Sequence, residues 1–324
     1  MPKLAYRDAL KQALNDAMRE DPDIFLIGEE VGRYGGAYGV TKGLIDEFGA
    51  ERVLDTPISE PAIIGTAVGA AMAGMRPVAE LMYVDFLGMT MDQLCNQAAK
   101  IRYMFGGQIG VPMVLRTQGG TGRSAGAQHS QSLEAYVMHT PGLRLAMPAT
   151  VYDAYHLLRQ ALKQPDPVVF IEHKSLYAMS EEVDLTVQPP DWGQAAIRRQ
   201  GRDLVIVSYS RQVHYALQAA EELAEQGIEA TVIDTRTLNP LDFETIGREV
   251  EKTGKAMVVS EAAMTCGVAA ELAARITEEC FDFLEEPVVR VAGEDIPISV
   301  SVELEKHSVP TPERIVDTAR KMVV

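Results

Sequence analysis

The sequence predicts an α/β protein of two domains, each built on a largely parallel sheet flanked by helices. Three observations carry this. Apolar runs of strand length alternate with amphipathic stretches of helix length. The runs hold apolar residues at consecutive positions, the pattern of short buried strands covered on both faces. The alternation lapses once, around residues 175–200, and then restarts. A length of 324 residues suits two domains of about 100–200 residues each.

In order, Tyr6 to Arg19 reads as an amphipathic helix and "IFLIG" as a buried strand. A glycine-rich loop follows, "GEEVGRYGGAYGVTKG". The stretch "DTPISEPAIIGTAVGAAMAGMRP" runs from Asp55 to Pro77. In it Pro61 suits the first turn of a helix, where a missing N–H costs nothing. Strands recur at "RPVAELMYV", "VPMVLRTQG", "LRLAMP" and "DPVVFIEH", with helices at "MDQLCNQAAKIRYMF" and "TVYDAYHLLRQALKQ" between them. The lapse, "YAMSEEVDLTVQPPDWGQAAIRRQGRD", has two adjacent prolines and no clear period, and reads as a surface linker. Beyond it come a strand at "DLVIVSYS", a helix ending at Gly227, a strand at "EATVIDTRTL", a helix at "DFETIGREVEKTG", a strand at "KAMVVSEA" and a capped final helix at "TPERIVDTARKM". The domains are therefore expected at 1–180 and 201–324, joined by a linker at 181–200.

Composition excludes several classes. The 46 acids outweigh 30 bases, for a formal charge of -16, which disfavours nucleic acid because phosphate contacts need Lys and Arg. It suits a basic protein partner. The three cysteines, Cys95, Cys266 and Cys280, form no C-x-x-C pair and no metal spacing, the usage of a reducing compartment. The N-terminus lacks the apolar core of a signal peptide. The longest apolar run, about Ala62 to Met75, is too short to cross a bilayer. A cytoplasmic protein without membrane or nucleic-acid partners is expected.

Two residues stand out chemically. Glu60 opens the helix of small residues, where a carboxylate either caps the helix through its dipole or serves a ligand. Gly65, Gly69 and Ala73 put small residues on one face of that helix, allowing close approach of another helix or a ligand. His129, in "GAQHSQS", follows a loop with four glycines, "QGGTGRSAG". It is either a proton-transfer group near neutral pH or a loop histidine bonded to Ser130 or Ser132. Tyr83 and Phe86, in "ELMYVDF", read by themselves as core aromatics at a strand end.

In combination the motifs become specific. "GEEVGRYGGAYGVTKGL", "DTPISE", "GAAMAGMRPVAELM", "NQAAKIRYMFGG", "AQHSQS" and "DTRTLNPLD" occur in one order at consistent spacing. Over essentially its whole length the chain resembles the beta subunit of the thiamine-diphosphate-dependent first component of 2-oxo acid dehydrogenase complexes, a transketolase-like family. The resemblance implies a pyrimidine-binding domain followed by a transketolase C-terminal domain.

It implies further that Glu60 contacts the aminopyrimidine of thiamine diphosphate and favours its imino form by sharing a proton with a ring nitrogen. Phe86 is expected against the pyrimidine with Met82 beside it. Glu29 matches an acid of a channel linking paired sites, and Met89 replaces another. His129 matches a histidine that handles protons during acyl transfer to lipoyl groups. Backbone carbonyls of Ala161, Gln164 and Asp166 overlie a potassium site, with Gln164 where an aspartate is usual. Magnesium is held in the family through a G-D-G motif on the alpha subunit, and this chain contains no G-D-G. The expected assembly is an alpha2-beta2 heterotetramer with a beta–beta contact and a lipoylated dihydrolipoyl acyltransferase docked on the second domain. The expected reaction is oxidative decarboxylation of pyruvate or a related 2-oxo acid. A beta subunit of acetoin dehydrogenase, or a noncatalytic docking subunit, remains as an alternative.

Overall fold

The computed structural model describes residues 3–323. The chain divides into two compact units, one taking it up to Gly119 together with Tyr136–Pro189, the other Gly120–Ala135 together with everything from Pro190 onward.

The first unit opens with β1 (Lys3–Ala5), which pairs antiparallel with β8 (Ser180–Glu182). Helix α1 (Tyr6–Glu20) buries Tyr6, Leu10, Leu14, Ala17 and Met18, one stripe at helical spacing. Strands β2 (Ile24–Gly28), β3 (Val53–Asp55), β4 (Arg76–Leu81), β5 (Val114–Gly119), β6 (Arg144–Ala146) and β7 (Val168–His173) follow. Their order in the sheet is β6-β7-β5-β4-β2-β3, and every pairing is parallel. The residues of β2, β5 and β7 are buried throughout, as strands covered on both faces require.

A short helix α2 (Leu44–Phe48) precedes β3. Helix α3 (Glu60–Met72) carries Pro61 in its first turn and buries Ile63, Ile64, Ala67, Val68 and Ala71. Its small-residue face is only partly used: a Cβ at Gly65 would touch the Gln93 side chain at 3.5 Å, while Gly69 faces open space. The helix expected over "MDQLCNQAAKIRYMF" is in two pieces, a π-helical run Asp92–Ala98 and then α4 (Ala99–Met104). Helix α6 (Val151–Ala161) is capped by Thr150, whose hydroxyl accepts the Asp153 N–H.

The second unit begins with Gly120–Ala135, which runs into α5 (Glu134–Met138). The sequence reading put this stretch inside 1–180. It clusters with the second unit because Thr121 bonds Glu261, Gly122 and Ser124 bond Glu305, and Tyr209 bonds Glu134. The expected linker 181–200 also contains β9 (Ala196–Arg199), an edge strand antiparallel to β11. Its residues are half-exposed or, at Ile197, exposed, so it lacks the apolar run by which the buried parallel strands are recognised.

The five-stranded sheet of this unit has the order β14-β13-β10-β11-β9. Its other strands are β10 (Leu204–Ser208), β11 (Ala230–Asp234), β13 (Ala256–Ala263) and β14 (Val289–Gly293), all parallel to one another; β12 (Thr237–Asn239) is a short strand after β11. Helices α7 (Gln212–Ala224) and α11 (Pro312–Val323) close one core, burying Ala216, Ala220, Leu223, Ile315, Val316 and Met322 with Ile206, Val232 and Val259 of the sheet. Helix α8 (Phe243–Thr253) is capped by the Asp242 carboxylate and stopped by Gly254 at φ 67. Helices α9 (Val268–Glu279) and α10 (Val302–His307) complete the unit. Cys95, Cys266 and Cys280 are free thiols. No helix among the described residues is long and apolar enough to cross a membrane.

Candidate active site

In the first unit the chain leaves β2 for β3 on one side and then crosses back to β4 on the other. The crevice between the C-terminal ends of β2 and β4 is therefore a topological switch point, where open parallel sheets bind ligands. The residues arriving there are Glu29, directly after β2, Met82, directly after β4, and Glu60, the first residue of the helix leading to β4. Asp55, ending β3, accepts the N–H groups of Gly32 and Arg33 at 2.6 and 3.2 Å, which fastens the glycine-rich loop that begins at Glu29.

Glu60 is half-buried. Among the described residues no hydrogen bond or ion pair reaches its side chain. Glu29 lies near enough to feel it: burial first, then the negative charges of Glu60, Glu30 and Glu80, push the Glu29 carboxyl above its ordinary value. Acids thus gather at one edge with no cation answering Glu60, an arrangement suited to a proton-bearing heterocycle. Tyr83 sits at φ 72 and donates its N–H to the Gln118 side chain at 3.2 Å. This sharp turn starts the 3-10 helix Val84–Thr90, and Phe86 donates its N–H to the Tyr83 carbonyl at 3.1 Å. Met82 and Phe86 are both half-buried, so neither is a plain core residue.

Under the crevice lies a polar network that the sequence reading missed. Arg116 on β5 is wholly buried and bonds Glu80 on β4 at 2.7 Å and Glu172 on β7 at 2.6 and 2.8 Å. The Tyr177 hydroxyl donates to Glu172 at 2.6 Å, and the Tyr38 ring stacks on Tyr177 at 4.5 Å. Lys174, also wholly buried, places its ammonium 5.4 Å from the Tyr83 ring. Burial drives the Glu80 carboxyl up against the pull of Arg116. Burial alone would lower the Arg116 pKa, but Glu172 and Glu80 outweigh it and hold the guanidinium protonated. The available signal was chemical: Glu80, Arg116, Gln118 and Glu172 interrupt otherwise apolar strands.

His129 lies in the second unit, half-buried, its N–H donated to the Gly126 carbonyl at 3.2 Å. Ala161, Gln164 and Asp166 lie on the turn leaving α6. There the Ala161 carbonyl accepts the Gln164 N–H at 3.1 Å, and the Asp166 carboxylate is held by Arg102 and by Arg144. Both interactions leave carbonyl lone pairs on the turn, and the side-chain charge of Asp166 is already matched.

Comparison with known proteins agrees with this architecture. Residues 2–180 match the family model "Transketolase, pyrimidine binding domain" and residues 193–315 match "Transketolase, C-terminal domain". A solved structure described as "Split gene transketolase, inactive beta4 tetramer" superposes with a TM-score of 0.82 over 99% of this chain and 98% of the other, at 20% identity, which supports the fold alone. Fold and crevice together define a transketolase-type pyrimidine-binding protein. Among curated relatives, the mitochondrial pyruvate dehydrogenase E1 component subunit beta-2 of Oryza sativa is 44% identical, covering 98% of this chain and 86% of that protein. The acetoin:2,6-dichlorophenolindophenol oxidoreductase subunit beta of Cupriavidus necator is 43% identical, covering 98% and 97%. The pyruvate dehydrogenase E1 component subunit beta of Rhizobium meliloti is 43% identical, covering 99% and 70%. The chain belongs to the family of beta subunits of the thiamine-diphosphate-dependent first component of 2-oxo acid dehydrogenase complexes.

Proposed function

We propose that this chain is the beta subunit of a pyruvate-type 2-oxo acid dehydrogenase, contributing the pyrimidine half of a site completed by an alpha subunit. The observation that carries the reading is the half-buried Glu60 carboxylate, without a hydrogen-bonding partner among the described residues, at the switch point of a parallel sheet. When bound, thiamine diphosphate supplies the carbon nucleophile for the substrate carbonyl. Glu60 would accept or share a proton with a nitrogen of that cofactor's pyrimidine. Phe86 and Met82, both half-buried, would hold the ring and exclude water from it. Glu29, whose proton is held more tightly than an ordinary glutamate's, sits beside Glu60 as a second proton store. His129 gives or takes a proton at its imidazole during acyl transfer to a lipoyl group.

The diphosphate and its magnesium belong to the alpha subunit in this reading, within an alpha2-beta2 assembly that includes a beta–beta contact. A lipoylated dihydrolipoyl acyltransferase docks on the second domain. Potassium, held by the carbonyls of Ala161, Gln164 and Asp166, would brace the turn after α6. A second reading, an acetoin dehydrogenase beta subunit, is favoured by the similarity to the Cupriavidus necator protein. Assaying the chain reconstituted with its alpha subunit on pyruvate, acetoin and branched 2-oxo acids separates the two. In the same assay Glu60→Gln keeps the assembly but lowers dye-linked turnover by about 100-fold or more, the usual scale of a proton-transfer group. Near-normal turnover in that variant would remove Glu60 from the role.

A further inference from the structure

The loop that carries His129 is gripped by a carboxylate from far along the chain. Gly122 donates its N–H to Glu305 Oε1 at 2.9 Å. Ser124 donates its N–H to both Glu305 oxygens, at 3.2 and 3.1 Å, and its hydroxyl approaches Oε2 at 3.3 Å. Glu305 lies on α10 and is only 5% exposed. Gly122, Ser124 and Gly126 all have positive φ, 93, 51 and 81. Left-handed residues in such a run turn backbone N–H groups to one side, and the concavity prefers an anion. Here the anion is supplied by the protein itself.

A second carboxylate holds the start of the loop. Thr121 gives both its N–H and its hydroxyl to Glu261 Oε1, at 2.6 and 2.9 Å, and Arg211 bridges the two side chains at 2.8 and 2.7 Å. At the far end buried Glu134 accepts the Tyr209 hydroxyl at 2.8 Å. Between these anchors the His129 N–H is tied to Gly126. A cleft of about 430 Å³, lined by Ser124, Arg211, Tyr215, Val309 and Pro310 among others, lies against the gripped segment. Carboxylates of Glu261, Glu305 and Glu134 thus hold this loop along its length. Ser124 in particular, a non-glycine residue in the left-handed region, needs such a constraint to stay there.

We infer that Glu305 is a positioning residue for acyl transfer: its carboxylate fixes the Gly122–Gly126 turn and thereby the imidazole of His129. The inference rests on the reading of His129 as the proton-handling group, and its test keeps the two apart. Reconstituted holoenzyme is prepared as wild type, His129→Ala, Glu305→Gln and Glu303→Gln, the last an exposed neighbour on the same helix. Dye-linked turnover, transfer to lipoyl domains and hydrogen exchange of the peptide spanning 120–131 are measured on each. In Glu305→Gln the charge is lost and one acceptor oxygen becomes an NH2 group that cannot accept from an N–H, so the grip weakens. Expected are faster exchange in that peptide, a KM for lipoyl domains raised about tenfold, and a smaller loss in dye-linked turnover; Glu303→Gln matches wild type. Normal lipoyl transfer in Glu305→Gln, with transfer lost in His129→Ala, overturns the inference and leaves the reading of His129 standing. Normal transfer in His129→Ala overturns both. Should Glu305→Gln fail to fold, the wild-type measurement still decides: free-chain exchange at Gly122 and Ser124 overturns the grip, and protection upholds it.

Discussion

Arg116 and Glu172 form a two-pronged ion pair inside the first unit's sheet, Nε to Oε1 at 2.6 Å and Nη2 to Oε2 at 2.8 Å, with neither side chain exposed. Glu80 takes the remaining prong at 2.7 Å. One guanidinium thus stands between two carboxylates just beneath the crevice that holds Glu29 and Glu60.

Arg116→Ala removes the guanidinium that bonds both Glu80 and Glu172 and takes that charge away from two buried acids. Breaking a buried pair from one side costs about 3–5 kcal/mol. Urea unfolding of the first unit should register that loss. A cost below about 1 kcal/mol would mean that water or a neighbour replaces the guanidinium.

Glu29→Gln should stabilise the protein at neutral pH. The Glu29 carboxyl titrates above its ordinary value of 4.5 because of burial and then the charges of Glu60, Glu30 and Glu80. The folded state therefore keeps a proton that the unfolded state has released. Stability falls as pH rises from about 4.5 through the folded value, and the penalty is full above it. The variant escapes that penalty, so its advantage appears near pH 7 and vanishes below about 4.5. Partial exposure lets solvent screen the charges and keeps the gain under about 1 kcal/mol. Paired melts at both pH values check the sign; a variant less stable than wild type near pH 7 contradicts it.

Gly142→Ala should be poorly tolerated. Gly142 has φ 103, and a Cβ there would lie 2.0 Å from the Ala99 carbonyl oxygen. Relief requires moving the first turn of α4 or the Gly142 turn. The cost exceeds the roughly 1 kcal/mol usual for a mismatched Gly-to-Ala change, and thermal unfolding reads it directly.

Calorimetry tests the divided site. The chain alone should bind thiamine diphosphate weakly and without magnesium dependence, because a doubly charged tail needs charge-assisted contacts that the proposal assigns to the alpha subunit. Adding that subunit with magnesium should tighten binding sharply. Tight, magnesium-dependent binding by the chain alone would require a diphosphate anchor within it and would end the shared-site proposal.

How much of this was legible beforehand differs from element to element. Apolar runs made β2 and the leading halves of β5 and β7 readable, because a strand buried on both faces carries apolar residues at consecutive positions. Edge strand β9 escaped, since the exposed Ile197 and half-exposed Arg198 carry no such signature. The order of motifs around Glu60, Phe86 and His129 disclosed the family, and Pro61 placed Glu60 at a helix start. Local sequence determined that much because helix, strand and turn preferences act over a few residues. Tertiary structure alone decided what those residues meet. It put Glu80, Arg116 and Glu172 side by side from three strands, and it joined Glu305 to Gly122 across 183 positions of the chain. Such partners are chosen by burial: a charge removed from water must find its complement wherever the fold brings one, and no period in the sequence encodes where that is.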